Sequence, residues 1–271
     1  MSTGEDIRLS RLFGEGANAV VVAIDHGLYN GPRPGFEHPW TLVARLKGAD
    51  AILMSPGMVP HAAAAFTSRG APALMVRLNW GTQYATQWGY HESRSVPMIS
   101  AAQAVSLGAD IVLVGMSIKT GSEAVDAENV AQVARCVAEK REIGVPLVGE
   151  VYPAGHEDLA PEDRHEQISI GCRIVAELGV DLIKTFHTGE RFGDIVRSTP
   201  VPILALGSKK ADREVDALEL AAVAIRDGAR GVVFGRNVVC AREPERFLEA
   251  LQEVVKRGVE PGAAAEKHGL G

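Results

Sequence analysis

The stretch Leu178-Gly179-Val180-Asp181-Leu182-Ile183-Lys184-Thr185-Phe186 reads as the end of a helix followed by a buried strand. Glycine relieves the left-handed conformation that closes a helix. The β-rich run after it is nearly all apolar, as a strand covered on both faces requires. The same joint recurs at Lys47-Gly48-Ala49-Asp50, Leu107-Gly108-Ala109-Asp110 and Asp227-Gly228-Ala229-Arg230. Around these joints lie eight short apolar runs, at residues 19–25, 51–55, 73–78, 111–116, 147–152, 182–186, 202–206 and 231–234. Amphipathic helical patterns are clearest at 123–141, 163–178, 211–227 and 244–256. Strands alternating with helices specify a parallel sheet covered by helices. Eight such units in about 240 residues predict a single α/β domain, a (β/α)8 TIM barrel, rather than an open doubly wound sheet.

No linker rich in Ser, Pro or Gly divides the chain, so residues 1–271 read as one domain. Residues 1–18 form a leading segment, with a short helix expected over 7–13 to close the bottom of the barrel. Residues 258–271, rich in Gly and Ala, read as a loosely structured tail. The segment 84–95 carries Trp88, Tyr90 and His91 and is too long for an ordinary connection, which predicts a lid or a hairpin.

Composition excludes several classes. Hydrophobic residues make up 46% of the chain, enough for a sizeable core. A net charge of −6 with no basic stripe argues against a nucleic-acid surface. No apolar run approaches the roughly 18 residues of a membrane span, and the N-terminus lacks the pattern of a signal peptide. Cys136, Cys172 and Cys240 are odd in number and lack metal-type spacing, so a disulfide framework is not expected. These features predict a cytoplasmic protein with neither a nucleic-acid nor a membrane partner.

Lys184 stands out inside its strand. Burying an ammonium is costly, and the same penalty favours the neutral amine that attacks carbonyls. The alternative is a strand-end lysine that reaches solvent or pairs with a carboxylate. In a barrel of this kind the active site lies at the C-terminal ends of the strands. There the first strand ends in Asp25-His26-Gly27, the fifth in Glu150-Val151-Tyr152-Pro153-Ala154-Gly155 and the sixth in Lys184. The seventh ends in Gly207-Ser208-Lys209-Lys210 and the eighth in Gly235-Arg236-Asn237. An acid, a phenol and an amine are thus expected to converge, with two glycine turns opposite. Asp25 could instead cap a loop or pair with Lys184, and Tyr152 could be a core aromatic. Gly207 and Gly235 could be turn residues alone, and Lys209 and Arg236 solvated cations. Such glycine turns commonly hold a phosphate on backbone N–H groups.

These residues, together with the run Ile183-Lys184-Thr185 and the pair Thr188-Gly189, resemble the archaeal-type class I fructose-bisphosphate aldolases and the broader DeoC/FbaB-type group. That group also contains the 2-amino-3,7-dideoxy-hept-6-ulosonate synthases and the thiolase of autoinducer-2 breakdown. The resemblance covers residues 19–251. It implies a Schiff-base mechanism on a phosphorylated ketose, with fructose 1,6-bisphosphate as the first substrate to test. Lys184 would form the imine, Tyr152 would act as general acid and base, and Asp25 would assist the proton transfers. Gly207, Ser208, Lys209, Gly235 and Arg236 would hold phosphate, with His26 at the substrate. A homo-oligomer is also implied. Three departures bear on the substrate: Leu206 where a second glycine is common, Ala154 where an arginine is common, and Lys119 after the fourth strand, which could read a second anionic group.

Histidines raise the question of a metal, since class II aldolases use zinc as the electrophile. His26 and His187 lie at strand ends and could approach each other, and His91 and His156 lie on loops. No His-x-His or paired His/carboxylate spacing appears, and Lys184 already supplies an electrophilic strategy. Neither a metal nor another cofactor is therefore expected. Two alternatives stay open: a heptulosonate-type synthase, and a thiolase that leans on His26 and requires coenzyme A, with Thr188-Gly189 favouring the shared aldolase/synthase branch over the thiolase.

Overall fold

The computed structural model describes residues 2–14, 18–90 and 92–270. The eight apolar runs form the parallel strands β1 (Ala19–Ala23), β2 (Ala51–Met54), β3 (Ala73–Arg77), β6 (Ile111–Met116), β7 (Leu147–Val151), β8 (Leu182–Phe186), β9 (Ile203–Leu206) and β10 (Gly231–Phe234). Each pairs with its neighbours in the chain's order, and β1 closes the barrel on β10 with Ala19 opposite Gly231. Two short strands, β4 (Asn79–Gly81) and β5 (Ser95–Pro97), form an antiparallel hairpin outside the barrel. The long segment predicted as a lid or hairpin is the loop of this hairpin, and His91 lies outside the described residues.

Successive strand residues face opposite sides, and this period sorts the core into two layers. Ala19, Val21, Leu53, Met75, Leu113, Val148 and Leu182 fill the barrel's interior. Val20, Val22, Ile52, Val76, Val114 and Ile183 pack outward against the helices. The leading helix, Thr3–Phe13, starts at a capping box between Ser2 and Glu5 and buries Leu12 under the interior layer. Its Glu5 shares the buried Lys140 ammonium with Asp181, at 2.8 and 2.6 Å.

Three of the recurring joints act as clamps. The side chain of Asp50 accepts the Val20 N–H (2.7 Å), that of Asp110 the Leu74 N–H (3.1 Å) and that of Asp181 the Leu147 N–H (2.8 Å). Each acid ties the start of its own strand to the start of the preceding barrel strand. Gly108, Gly179 and Gly228 have the positive φ that the joint reading requires. Gly48 does not. The segment before it holds only short turns, so it closes no long helix.

The C-terminal segment differs from the expectation of a loose tail. Pro261–His268 is a helix, capped by the Glu260 side chain on the Ala263 N–H at 2.8 Å. Ala264 and Ala265 are buried, because small side chains let this helix lie close against Pro244–Arg257 and Glu214–Arg226. Among the described residues no helix is long and apolar enough to cross a membrane.

Candidate active site

Above the apolar interior the same inward face turns polar. Two residues beyond Met75 is Arg77, two beyond Val148 is Glu150, two beyond Leu182 is Lys184, and two beyond Ala23 is Asp25. Glu150 and Lys184 are register partners on adjacent strands. The four side chains form one chain of charge. Lys184 Nζ lies 2.5 Å from Glu150 Oε1, Arg77 Nη2 lies 2.6 Å from Glu150 Oε2, and Arg77 Nε donates to Asp25 Oδ2 at 2.6 Å. All are buried, down to 2% exposure for the Arg77 side chain. Tyr84 descends from the hairpin loop and donates to Glu150 Oε2 at 2.7 Å. Gly115 makes room for it, since a Cβ there would lie 2.1 Å from the Tyr84 hydroxyl. Desolvation costs several kcal/mol per ion, so such an arrangement persists only when every charge is compensated. Here two cations face two anions.

This cluster floors a cavity of about 380 Å³ that also exposes Tyr152, His26, His156, Arg236 and the two glycine turns. Burial would raise Asp25, but Arg77, then Lys184 and His26, hold it below the ordinary aspartate range. Burial opposes ionisation of Glu150 too, yet Arg77 first and Lys184 second hold it down to about 2. Burial pushes the Tyr152 phenol well up and drives His26 and His156 down to about 4. At neutral pH the two acids are therefore ionised, the phenol protonated and both imidazoles neutral. Tyr152 Oη shares a hydrogen bond with His156 Nε2 at 3.0 Å, and both rings pack on Phe186.

The glycine turns are built by packing. A Cβ on Gly207 would lie 2.7 Å from the Phe234 ring, and one on Gly235 would lie 2.3 Å from His26 and 2.7 Å from the Ala23 carbonyl. Between them Ser208 takes a positive φ of 55°, a conformation L side chains rarely adopt. Asn237 secures the first turn, donating to the Gly207 carbonyl (2.8 Å) and accepting the Ala211 N–H (2.8 Å). Arg236 Nη2 donates to the Ser208 carbonyl at 2.8 Å. Lys209 is exposed at the rim and pairs with Glu157 at 3.2 Å.

The cavity thus brings together Asp25, His26, Tyr152, Lys184, Gly207, Ser208, Lys209, Gly235 and Arg236. Lys119 is not among them. It leaves its strand with a φ of 56° and pairs on the surface with Glu166 at 3.2 Å, outside the cavity lining. His187 does not approach His26 either, because it bonds Asp227 at 2.8 Å. Asp25 pairs with Arg77 rather than Lys184, whose partner is Glu150. Among the described residues no group of three or more His, Cys, Asp or Glu side chains is placed to hold a metal ion. Arg77, Tyr84 and the role of Glu150 were not expected from the sequence, and His156 entered there only in the question of a metal.

A family model for DeoC/LacD family aldolases matches residues 19–241. An uncharacterized aldolase of Saccharolobus solfataricus is 31% identical over 96% of this chain and 97% of its own. A 3-hydroxy-5-phosphonooxypentane-2,4-dione thiolase of Yersinia pestis is 30% identical over 96% of this chain and 85% of its own. Among solved structures, a Schiff-base-forming fructose-1,6-bisphosphate aldolase superposes with a TM-score of 0.76 at 28% identity, covering 92% of this chain and 98% of that one.

Proposed function

The chain belongs to the DeoC/LacD family of aldolases, and from that premise we propose that it is a class I aldolase that makes or breaks a C–C bond in a phosphorylated ketose through an imine on Lys184. The observation that carries the reading is the placement of Lys184. Its amine lies buried on the inward face of β8 and faces the same cavity as Tyr152, Asp25, Arg236 and both glycine turns. An iminium on Nζ withdraws electrons, so cleavage of the adjacent C–C bond leaves a stabilised enamine. Tyr152, protonated and bonded to His156, is the acid and base for the substrate hydroxyl. Asp25, held as an anion by Arg77, lines the same cavity. The turns at Gly207, Ser208, Gly235 and Arg236 take the phosphate, with Lys209 at the rim, and that remote binding energy aligns the ketone with the amine. Fructose 1,6-bisphosphate is the first substrate to assay.

The test is borohydride reduction with dihydroxyacetone phosphate followed by peptide mass spectrometry. A reduced adduct on Lys184 and lost activity are expected. An adduct elsewhere, or none with any ketone phosphate tried, would remove the Schiff base. A second reading rests on His26, which lies half-buried at this cavity and is neutral at pH 7. It is a thiolase acting on a phosphorylated diketone with coenzyme A, and dependence of turnover on coenzyme A separates it from the aldolase. A heptulosonate-type synthase would share the Lys184 adduct and differ in its aldehyde partner. The reading includes a cytoplasmic homo-oligomer that needs no metal or other cofactor.

A further inference from the structure

We propose that Glu150 is the acid–base partner of the Lys184 amine, taking the proton that Nζ must lose to attack a ketone and returning it to the oxygen that leaves as water. The inference rests on the Schiff-base reading above and assigns a step that Tyr152 and Asp25 do not serve. Among the described residues, the ion pair that Nζ makes is with Glu150 Oε1, at 2.5 Å. Tyr152 Oη is bonded to His156, and Asp25 is held by Arg77. Glu150 lies on the strand beside Lys184, in register with it, so both side chains enter the interior at one level. Its second oxygen is fixed by Arg77 Nη2 and by the Tyr84 hydroxyl, at 2.6 and 2.7 Å. That leaves Oε1 aimed at the amine, at the floor of the cavity where the reacting carbonyl must come.

The step balances. The ammonium passes one proton to Oε1, and the nitrogen forms a bond to the carbonyl carbon while the C=O π pair moves to oxygen. A second proton moves from nitrogen to that oxygen, giving the neutral carbinolamine. The protonated Glu150 then donates to the hydroxyl, the C–O bond breaks, water leaves, and the nitrogen lone pair closes the iminium. Ammonium plus ketone has become iminium plus water, and Glu150 is a carboxylate again. The iminium carries the charge that the ammonium carried, so the four-charge cluster ends as it began, two cations against two anions. Arg77 has a defined part in this cycle. It holds Glu150 by Oε2, so that Oε1 takes the proton from Nζ and returns it to the departing hydroxyl.

The test uses the full-length protein with saturating dihydroxyacetone phosphate and cyanoborohydride, following adduct formation by intact mass. In the wild type the trapping rate should change by less than about threefold from roughly pH 7 to 8.5, because the proton acceptor is internal. A rise of about tenfold per pH unit would mean that the proton leaves to solvent, and would overturn the proposal. Glu150→Gln should trap at least about 100-fold more slowly, while binding glycerol 3-phosphate (a phosphate without a ketone) within about threefold of the wild type. Glu150→Ala should regain at least about tenfold in rate with added formate, which supplies a carboxylate to the space left. Glu150→Gln trapping within about threefold of the wild type would remove Glu150 from the step. If neither variant folds, the wild-type pH profile decides alone. A wild type that forms no adduct at all would overturn the Schiff-base reading itself, a result distinct from failure of the Glu150 assignment.

Discussion

Replacing Arg77 by methionine keeps much of the side chain's volume but removes the cation that joins Asp25 and Glu150. Both acids would stay buried, with Lys184 as the one remaining cation of the cluster. Breaking a buried pair in this way costs about 3–5 kcal/mol. Linkage gives a figure of the same order for Glu150 as a whole, to which Lys184 and Tyr84 contribute alongside Arg77. Glu150 is held at about 2 against a reference value of 4.5, and at 1.36 kcal/mol per unit this corresponds to about 3 kcal/mol. A depressed carboxylate gives stability that is fully present above its unfolded pKa and lost as pH falls through the folded one. For Glu150 the window runs from about pH 4.5 down to about 2. For a chain of this size 3–5 kcal/mol lowers the melting temperature by about 6–20 °C. Thermal unfolding of Arg77→Met should therefore show that deficit at pH 7. The gap to the wild type should narrow below about pH 4.5, as the orphaned carboxylates take up protons and the wild type loses its own advantage. A melting temperature within about 2 °C of the wild type at pH 7, or a gap indifferent to acid, would refute the reasoning.

Two further outcomes follow from the site. Tyr152→Phe should slow turnover by about 10²–10⁴ with little change in substrate binding, and steady-state kinetics at wild-type level would reduce Tyr152 to a packing residue. Lys119→Met should leave kcat/KM for fructose 1,6-bisphosphate and fructose 1-phosphate within about twofold of the wild type, because an exposed pair with Glu166 is worth about 0–1 kcal/mol. A loss confined to the bisphosphate would return Lys119 to the substrate.

The strand ends were legible because a barrel puts its chemistry there, which located Asp25, Tyr152, Lys184 and both glycine turns. Arg77 and Glu150 were harder, being embedded in runs that read as apolar strands. Their signal was parity: each lies two residues past an inward apolar residue, on the face that also carries Lys184. Tyr84 had no such signal. It reaches Glu150 because a hairpin folds back over Gly115, and neither fact is local in sequence. The placement of Lys119 was not legible either, since a left-handed residue just past the strand turns its side chain to the surface. Glycine and alanine content suggested a loose tail at 258–271, where Glu260 as a cap and two buried alanines make a docked helix.

The aspartate clamps at the bottom of the barrel divide it into quarters. Each ties a pair of consecutive barrel strands, β1 with β2, β3 with β6 and β7 with β8, and each acid also meets a cation: Lys256, Arg11 or Lys140. In each clamp the acid's own N–H also donates to the carbonyl of the residue it holds, at 2.9 Å. The last quarter, β9 with β10, keeps that backbone bond, Arg230 N–H to the Ile203 carbonyl at 2.8 Å, but puts arginine where the acid would be. That guanidinium lies over the Phe13 ring, 5.7 Å from its centre. The barrel therefore carries an internal fourfold repeat with one member altered. The altered member is the quarter that meets the first strand, where β10 pairs with β1 and the carboxylate is exchanged for a hold on the leading helix.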